Sequence, residues 1–168
     1  QLGQSLLRTT RSFQTGAYEP HFYMNRGMMV IEADQHPVVP LQVTNVESVQ
    51  LGMERLSADE IVPALPAYNQ QTSYDRRDDA QTRPPVTADR TYDLPIERNT
   101  LATVPLRLDS LLSTDSTGVV GVRLIRPRFQ EYDDPDLRAL AQVTHLGVTG
   151  KFSPHQNLVV VTNLSSDT

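Results

Sequence analysis

The sequence predicts an all-β protein, an antiparallel β-sandwich of the fibronectin-III or immunoglobulin kind, with one short helix and one long loop. Three observations predict it. Twelve prolines are scattered through 168 residues rather than clustered, which leaves little room for a long helix. Valine, leucine and threonine recur in short runs between turn signals, the pattern of a sandwich. Within several runs the apolar residues alternate with polar ones, and period two marks a half-buried strand.

The strands follow in order. Residues 28–33 (MMVIEA) come after a turn at Asn25-Arg26-Gly27. Residues 38–46 place Leu41 and Val43 on one face, with Val46 after a polar step. In 48–56, Val49, Leu51 and Met53 face one way and Gln50, Gly52 and Glu54 the other. In 101–108, Ala102, Val104, Leu106 and Leu108 oppose Leu101, Thr103, Pro105 and Arg107. Pro105 has no amide hydrogen to give a ladder, so this strand belongs at an edge. Residues 118–126 (GVVGVRLIR) are apolar on both faces at several positions, which predicts a central strand. Residues 138–146 and 157–164 complete a set of about seven strands.

Between them, Ser57-Ala58-Asp59-Glu60 has the form of a capping box, with Ile61, Leu65 and Tyr68 on one helical face. Pro63 and Pro66 should hold this helix to one or two turns. Residues 69–100 open with a stretch nearly devoid of aliphatic side chains and rich in both charges. This predicts a long, mobile excursion, with Tyr92, Leu94 and Ile96 returning the chain to a sheet. Three segments are expected: a linker or strand from a preceding domain over 1–19, a sandwich over 20–145, and the first hairpin of a following domain over 146–168. Gly147 and Gly150 allow the backbone to bend near the boundary. The hairpin should pack only weakly on the sandwich.

Composition excludes several functions. There is no cysteine, hence no disulfide, thiolate zinc site or cysteine nucleophile. Net charge is −5, and Lys151 is the sole lysine beside the arginines, so no basic stripe invites nucleic acid. No apolar run approaches the ~20 residues of a membrane-spanning helix. The sequence starts at Gln1 without a signal peptide, so any targeting signal is expected upstream.

Candidate sites are few. His21, His36, His145 and His155 show no helical ligand spacing and read as ordinary histidines. Glu131, Asp133, Asp134 and Asp136 form the densest acidic cluster, but lack the glycine and terminal glutamate of a calcium loop and read as a solvated turn. No Gly-x-Ser-x-Gly elbow or other nucleophile–base set is present. No catalytic, cofactor-binding or metal-binding residue is expected, and no cofactor or small-molecule substrate. Arg76-Arg77-Asp78-Asp79, Arg83-Pro84-Pro85 and Arg90 mark a protease-exposed loop. Asn163-Leu164-Ser165 is a formal glycosylation sequon.

A resemblance adds to this reading. It is carried by Arg26-Gly27; by Pro40 with Leu41, Val43, Asn45, Val46 and Val49; by Arg55-Leu56 ahead of the helix; by Val104-Pro105-Leu106 and Gly118-Val119-Val120; and by Thr144-His145-Leu146-Gly147-Val148 with the closing NLVVVTNLSS. In this order and spacing the chain, from about residue 20 on, resembles an early macroglobulin-like domain of the bacterial alpha-2-macroglobulins. That family's Cys-x-Glu-Gln thioester and its bait segment do not occur here. The resemblance implies a non-enzymatic scaffold domain of a broad-spectrum protease inhibitor in the periplasm or cell envelope, with a lipid anchor in an upstream segment. It implies as partners neighbouring macroglobulin-like domains, proteases through the full-length protein, and a penicillin-binding protein. It also argues against a bait role for the 76–90 loop, because the family's bait lies further along the chain. The rival is a free-standing binding or adhesion module. That module would expose aromatic residues on one rim; Phe13, Tyr18, Phe22 and Tyr23 form the one aromatic run, and tryptophan is absent.

Overall fold

A computed structural model describes residues 10–68, 85–125 and 136–164. Its elements are β1 (His21–Met24), β2 (Gly27–Glu32), β3 (Val38–Thr44), β4 (Ser48–Leu56), α1 (Ala58–Tyr68), β5 (Arg90–Asp93), β6 (Ala102–Arg107), a single 3-10 turn (Asp109–Leu111), β7 (Gly118–Ile125), β8 (Asp136–Thr144), β9 (Leu146–Phe152) and β10 (Asn157–Asn163). The described strands form a three-stranded sheet in the order β1-β3-β6, a five-stranded sheet β2-β8-β7-β4-β5, and a separate pair β10-β9. The expected β-sandwich with one short helix is the fold observed.

Alternation builds the core between the two larger sheets. Phe22, Met24, Val39, Leu41, Val43 and Leu106 enter from the smaller sheet. Val49, Leu51, Val120, Val122, Leu124 and the odd-numbered residues of β8 enter from the larger. As the proline argument requires, β6 lies at an edge. Pro105 stands directly opposite Pro40 on β3. The Leu108 amide donates to the Pro37 carbonyl at 3.0 Å, which fixes the odd-numbered β3 residues as the hydrogen-bonded pairs of this ladder. Pro40 and Pro105 therefore share a non-hydrogen-bonded position, where neither missing N–H breaks the β3–β6 pairing. The strand that is apolar on both faces, β7, is central, flanked by β8 and β4.

Three features depart from the sequence reading. First, the larger sheet is mixed, because β2 runs parallel to β8, from Gly27 beside Ala139 to Glu32 beside Thr144. Only two residues separate β1 from β2, yet the two strands belong to different sheets. Gly27 makes that crossing in the left-handed region, at φ 78°. Second, α1 runs eleven residues, three turns rather than one or two, with both prolines inside it. Pro63 and Pro66 share an exposed stripe with Asp59 and Val62, whose carbonyls would otherwise accept their bonds and can turn to water instead. The opposite stripe of Ala64, Ala67 and Tyr68 is buried and holds the helix. The capping region forms as expected, with the Ser57 amide and hydroxyl both donating to the Glu60 carboxylate at 2.8 and 2.7 Å. Third, the second half of the 69–100 excursion is anchored. Val86 and Ala88 are buried and β5 pairs with β4. Residues 69–84 lie outside the described residues.

The larger sheet is thus covered on both faces. On the side away from the core, Leu56, Ala64, Ala67, Tyr68, Val86 and Leu140 form a second apolar cluster. Gly52 and Gly121, on adjacent strands, give this face its flat floor. A Cβ on Gly52 would stand 2.0 Å from the Thr87 carbonyl oxygen, and one on Gly121 would stand 2.6 Å from the Tyr68 hydroxyl. Alanine at either position should therefore destabilise the fold by about 1–3 kcal/mol in urea unfolding, more at Gly52 where the obstacle is backbone. Gly16→Ala, with nothing within 4 Å, should change the midpoint little.

Candidate functional site

The residues singled out in the sequence scatter rather than converge. His21, His36 and His155 are exposed, and among the described residues no group of three or more His, Asp or Glu side chains is placed to hold a metal. Glu131, Asp133 and Asp134 lie outside the described residues, as do Arg76 to Arg83 and Ser165 of the sequon. The aromatic run does not make a rim. Phe22 turns into the core at 3% exposure, whereas Phe13, Tyr18 and Tyr23 point to water. Asp136 is not part of a solvated turn: it begins β8 and is half-buried.

Asp136 belongs instead to an ionic node that the sequence reading missed. Arg123 on β7 stands directly opposite Arg138 on β8, both on the helix side of the sheet. Two like charges opposed across a ladder repel. Asp136, two residues before Arg138 and on the same face, resolves this. Arg123 donates to it through Nε and Nη2 at 3.1 and 3.0 Å, and Arg138 through Nη2 at 2.7 Å. A second Arg138 nitrogen, Nη1, donates to the Ala67 carbonyl at 3.1 Å. The last turn of α1 has no basic residue of its own, so a strand arginine caps the helix C-terminus. Burial pushes the Asp136 carboxyl up, but hydrogen bonds and charge from Arg138 and Arg123 outweigh it and hold the group below the usual carboxylate range. Beside the node lies Tyr68. Its hydroxyl is buried with no hydrogen-bond partner among the described residues, and burial pushes its pKa up to about 12. A signal was present in the sequence: Arg123 interrupts an otherwise two-faced apolar strand, and a charge there demands a partner.

A second polar device fixes the incoming chain. Asn45 and Asn99 both adopt left-handed backbone, at φ 53° and 61°. Their side chains bond each other and close on one residue of the extended N-terminal segment. Asn45 Nδ2 donates to the Tyr18 carbonyl at 2.7 Å, and the Tyr18 amide donates to Asn99 Oδ1 at 2.9 Å. Asn45 Nδ2 also donates to Asn99 Oδ1 at 3.0 Å, and the Asn99 amide to Asn45 Oδ1 at 2.6 Å. This clamp sits just past the end of β3. Asp34, which contacts His145 at the root of the β9–β10 hairpin, precedes the start of β3. The two fixings therefore lie beyond opposite ends of a seven-residue strand, itself about 23 Å long.

The hairpin is the most exposed element. β9 and β10 pair in register from Leu146–Asn163 to Phe152–Asn157, and neither pairs with any other described strand. Leu146, Val148, Phe152, Val159 and Val161 share one face, and each is more than half exposed. A two-stranded ribbon with an uncovered apolar face is marginal alone. What this element offers is surface.

No family model matches the chain, and no curated protein matches it. Among solved structures, the chain is similar to native alpha-2-macroglobulin from Escherichia coli in a crystal structure spanning domains NIE-MG1. The TM-score is 0.54 at 16% identity, over 87% of this chain and 70% of that one. A crystal structure spanning domains MG0-NIE-MG1 gives a TM-score of 0.56 at 17% identity, over 88% of this chain and 46% of that one. A cryo-EM reconstruction of the native E. coli protein gives 0.51 at 15% identity, over 87% of this chain and 9% of that one. At these identities the likeness is one of fold: the sandwich is of the macroglobulin-like type.

The node gives two predictions. Asp136→Asn leaves two guanidiniums face to face and should cost about 1–3 kcal/mol at pH 7. The folded carboxyl titrates below its unfolded value, so its contribution is complete above about pH 4 and fades as pH falls through the folded value. The gap between native and variant midpoints should close on acidification. Tyr68→Phe removes an unpartnered buried hydroxyl and should be neutral or stabilising by up to about 1 kcal/mol in the same assay.

Proposed function

We propose that this chain is a non-enzymatic scaffold domain of an alpha-2-macroglobulin-like broad-spectrum protease inhibitor. The observation that carries the reading is the hairpin: two strands that pair with no other described strand, presenting Leu146, Val148, Phe152, Val159 and Val161 to water. The macroglobulin-like fold supports it, as does the placement of the two fixings at opposite ends of the sandwich. Beads joined in line need their connections at opposite poles.

In this reading residues 20–145 are one macroglobulin-like domain. Residues 146–168 open the next, whose further strands cover the apolar face of β9 and β10. Residues 1–19 come from a preceding domain. The partners are then neighbouring domains of the same parent chain, and proteases through the whole inhibitor. A periplasmic or envelope location, a lipid anchor upstream and association with a penicillin-binding protein belong to the same proposal. This chain supplies no thioester, since it has no cysteine. Its contribution is steric and mechanical.

Hydrogen exchange tests the reading. Hairpin amides of this chain should exchange quickly, and should gain protection when the chain is extended by the next hundred or so residues of its parent, about one domain. Amides of β7 and β8 should be protected equally in both. Equal exchange of the hairpin in the two proteins would count against the reading. So would a parent that still inhibits proteases after residues 20–145 are deleted.

A further inference from the structure

His145 is the residue that joins β8, ending at Thr144, to β9, beginning at Leu146. Its backbone carbonyl accepts the Leu164 amide at 2.6 Å, so both strands of the hairpin return to it. Its ring faces the end of the sandwich. There Nδ1 lies 3.3 Å from the Asp34 carboxylate, in the turn after β2, and Nε2 lies 3.3 Å from the Asp115 carbonyl oxygen, in the loop before β7. A carbonyl only accepts, and so does an ionised carboxylate. A neutral imidazole has one N–H and satisfies one of them; an imidazolium has two and satisfies both.

We infer that His145 is a pH-responsive latch: doubly protonated, its ring ties the root of the hairpin to two loops of the sandwich, and neutral, it releases one of them. The charges around it agree in sign. Asp34 and Asp115 face the ring from two loops. Glu32, the last residue of β2, lies beside Thr144 on the neighbouring strand and bonds Gln35. The Asp115 carboxyl is held down to about 2 by the hydroxyls of Ser113 and Thr117 and by the Thr117 amide, so it stays anionic across the range in which imidazoles titrate. Among the described residues a cation also comes near this loop: Arg55, on β4, brings its guanidinium up to Gly118. The protonated ring makes both contacts, so the hairpin is held most firmly at the acid end of that range and is looser at the alkaline end. The inference rests on the geometry of the junction and is independent of what covers the hairpin.

The absence of cysteine makes the test direct. Spin labels at Gln42→Cys, on the exposed face of β3, and Gln156→Cys, in the hairpin turn, report the distance between sandwich and hairpin. The expected result is a narrow distance distribution at about pH 5 that spreads at about pH 8. In His145→Gln, whose side chain cannot donate to both acceptors from one ring plane, the spread form should appear at both. Asp34→Ala keeps the ring and removes one acceptor, and should abolish the response as well. An unchanged distribution in the native sequence overturns the latch, as does a pH response that survives in either variant.

Discussion

The constraint on which the structure depends is that β7 and β8 carry apolar side chains on both faces. Val120, Val122 and Leu124 point one way, while Val119 and Leu140 point the other. Such a sheet has to be covered twice. The three-stranded sheet covers one face, and its strands need only alternate to do so. The second face is covered by a short helix and by the segment through Val86 and Ala88, which lie close because Gly52 and Gly121 put no side chain in the way. Without that second cover, Leu56, Val119 and Leu140 would be left in water, and α1 would lose the packing that overrides its two prolines.

Much of this was legible in the sequence, because period two is a local signal. The inward faces of β3, β4 and β6 follow from counting, and the central place of β7 follows from its having two apolar faces. Pro105 marks an edge because a missing donor is a local fact. What counting cannot supply is partnership. β2 reads as a strand, but nothing in MMVIEA says that it lies parallel to β8; that follows from a two-residue crossing between sheets. The four residues of β1 are too short for a period to show. The length of α1 was misread because proline cost was weighed without the burial of Ala64, Ala67 and Tyr68 on the other stripe. The ionic node was hidden for a similar reason: Arg123 lies thirteen residues before Asp136, and only the β7–β8 register brings it to Asp136 and Arg138.

The polar interactions then take on a common role. The apolar core fixes how the two sheets lie, but cores tolerate sliding better than hydrogen bonds do. Three of these polar groups fasten places where the chain leaves a layer. Arg138 fastens the end of α1, the Asn45–Asn99 pair fastens the incoming segment at Tyr18, and His145 fastens the root of the hairpin. Asn45 and Asn99 accept a left-handed backbone to make their clamp, a conformation that asparagine adopts more readily than most residues. Their side chains reproduce on Tyr18 the donor and acceptor that a neighbouring strand would offer.

On the scaffold reading proposed above, a domain fastened in this way transmits direction. If the incoming segment were held only by apolar contact, and the outgoing hairpin only by its covalent link, each joint would be a free swivel, and a row of such domains would be a flexible string. With a two-bond clamp at one end of β3 and a ring bridging two loops at the other, the angle at each joint is set by the sandwich itself. The two joints are not equivalent. The clamp is built from neutral amides and the proposed latch from an imidazole, so on that proposal only the hairpin pole responds to pH. Stiffness along such a row is then governed by single side chains at the joints rather than by the size of the surfaces between them.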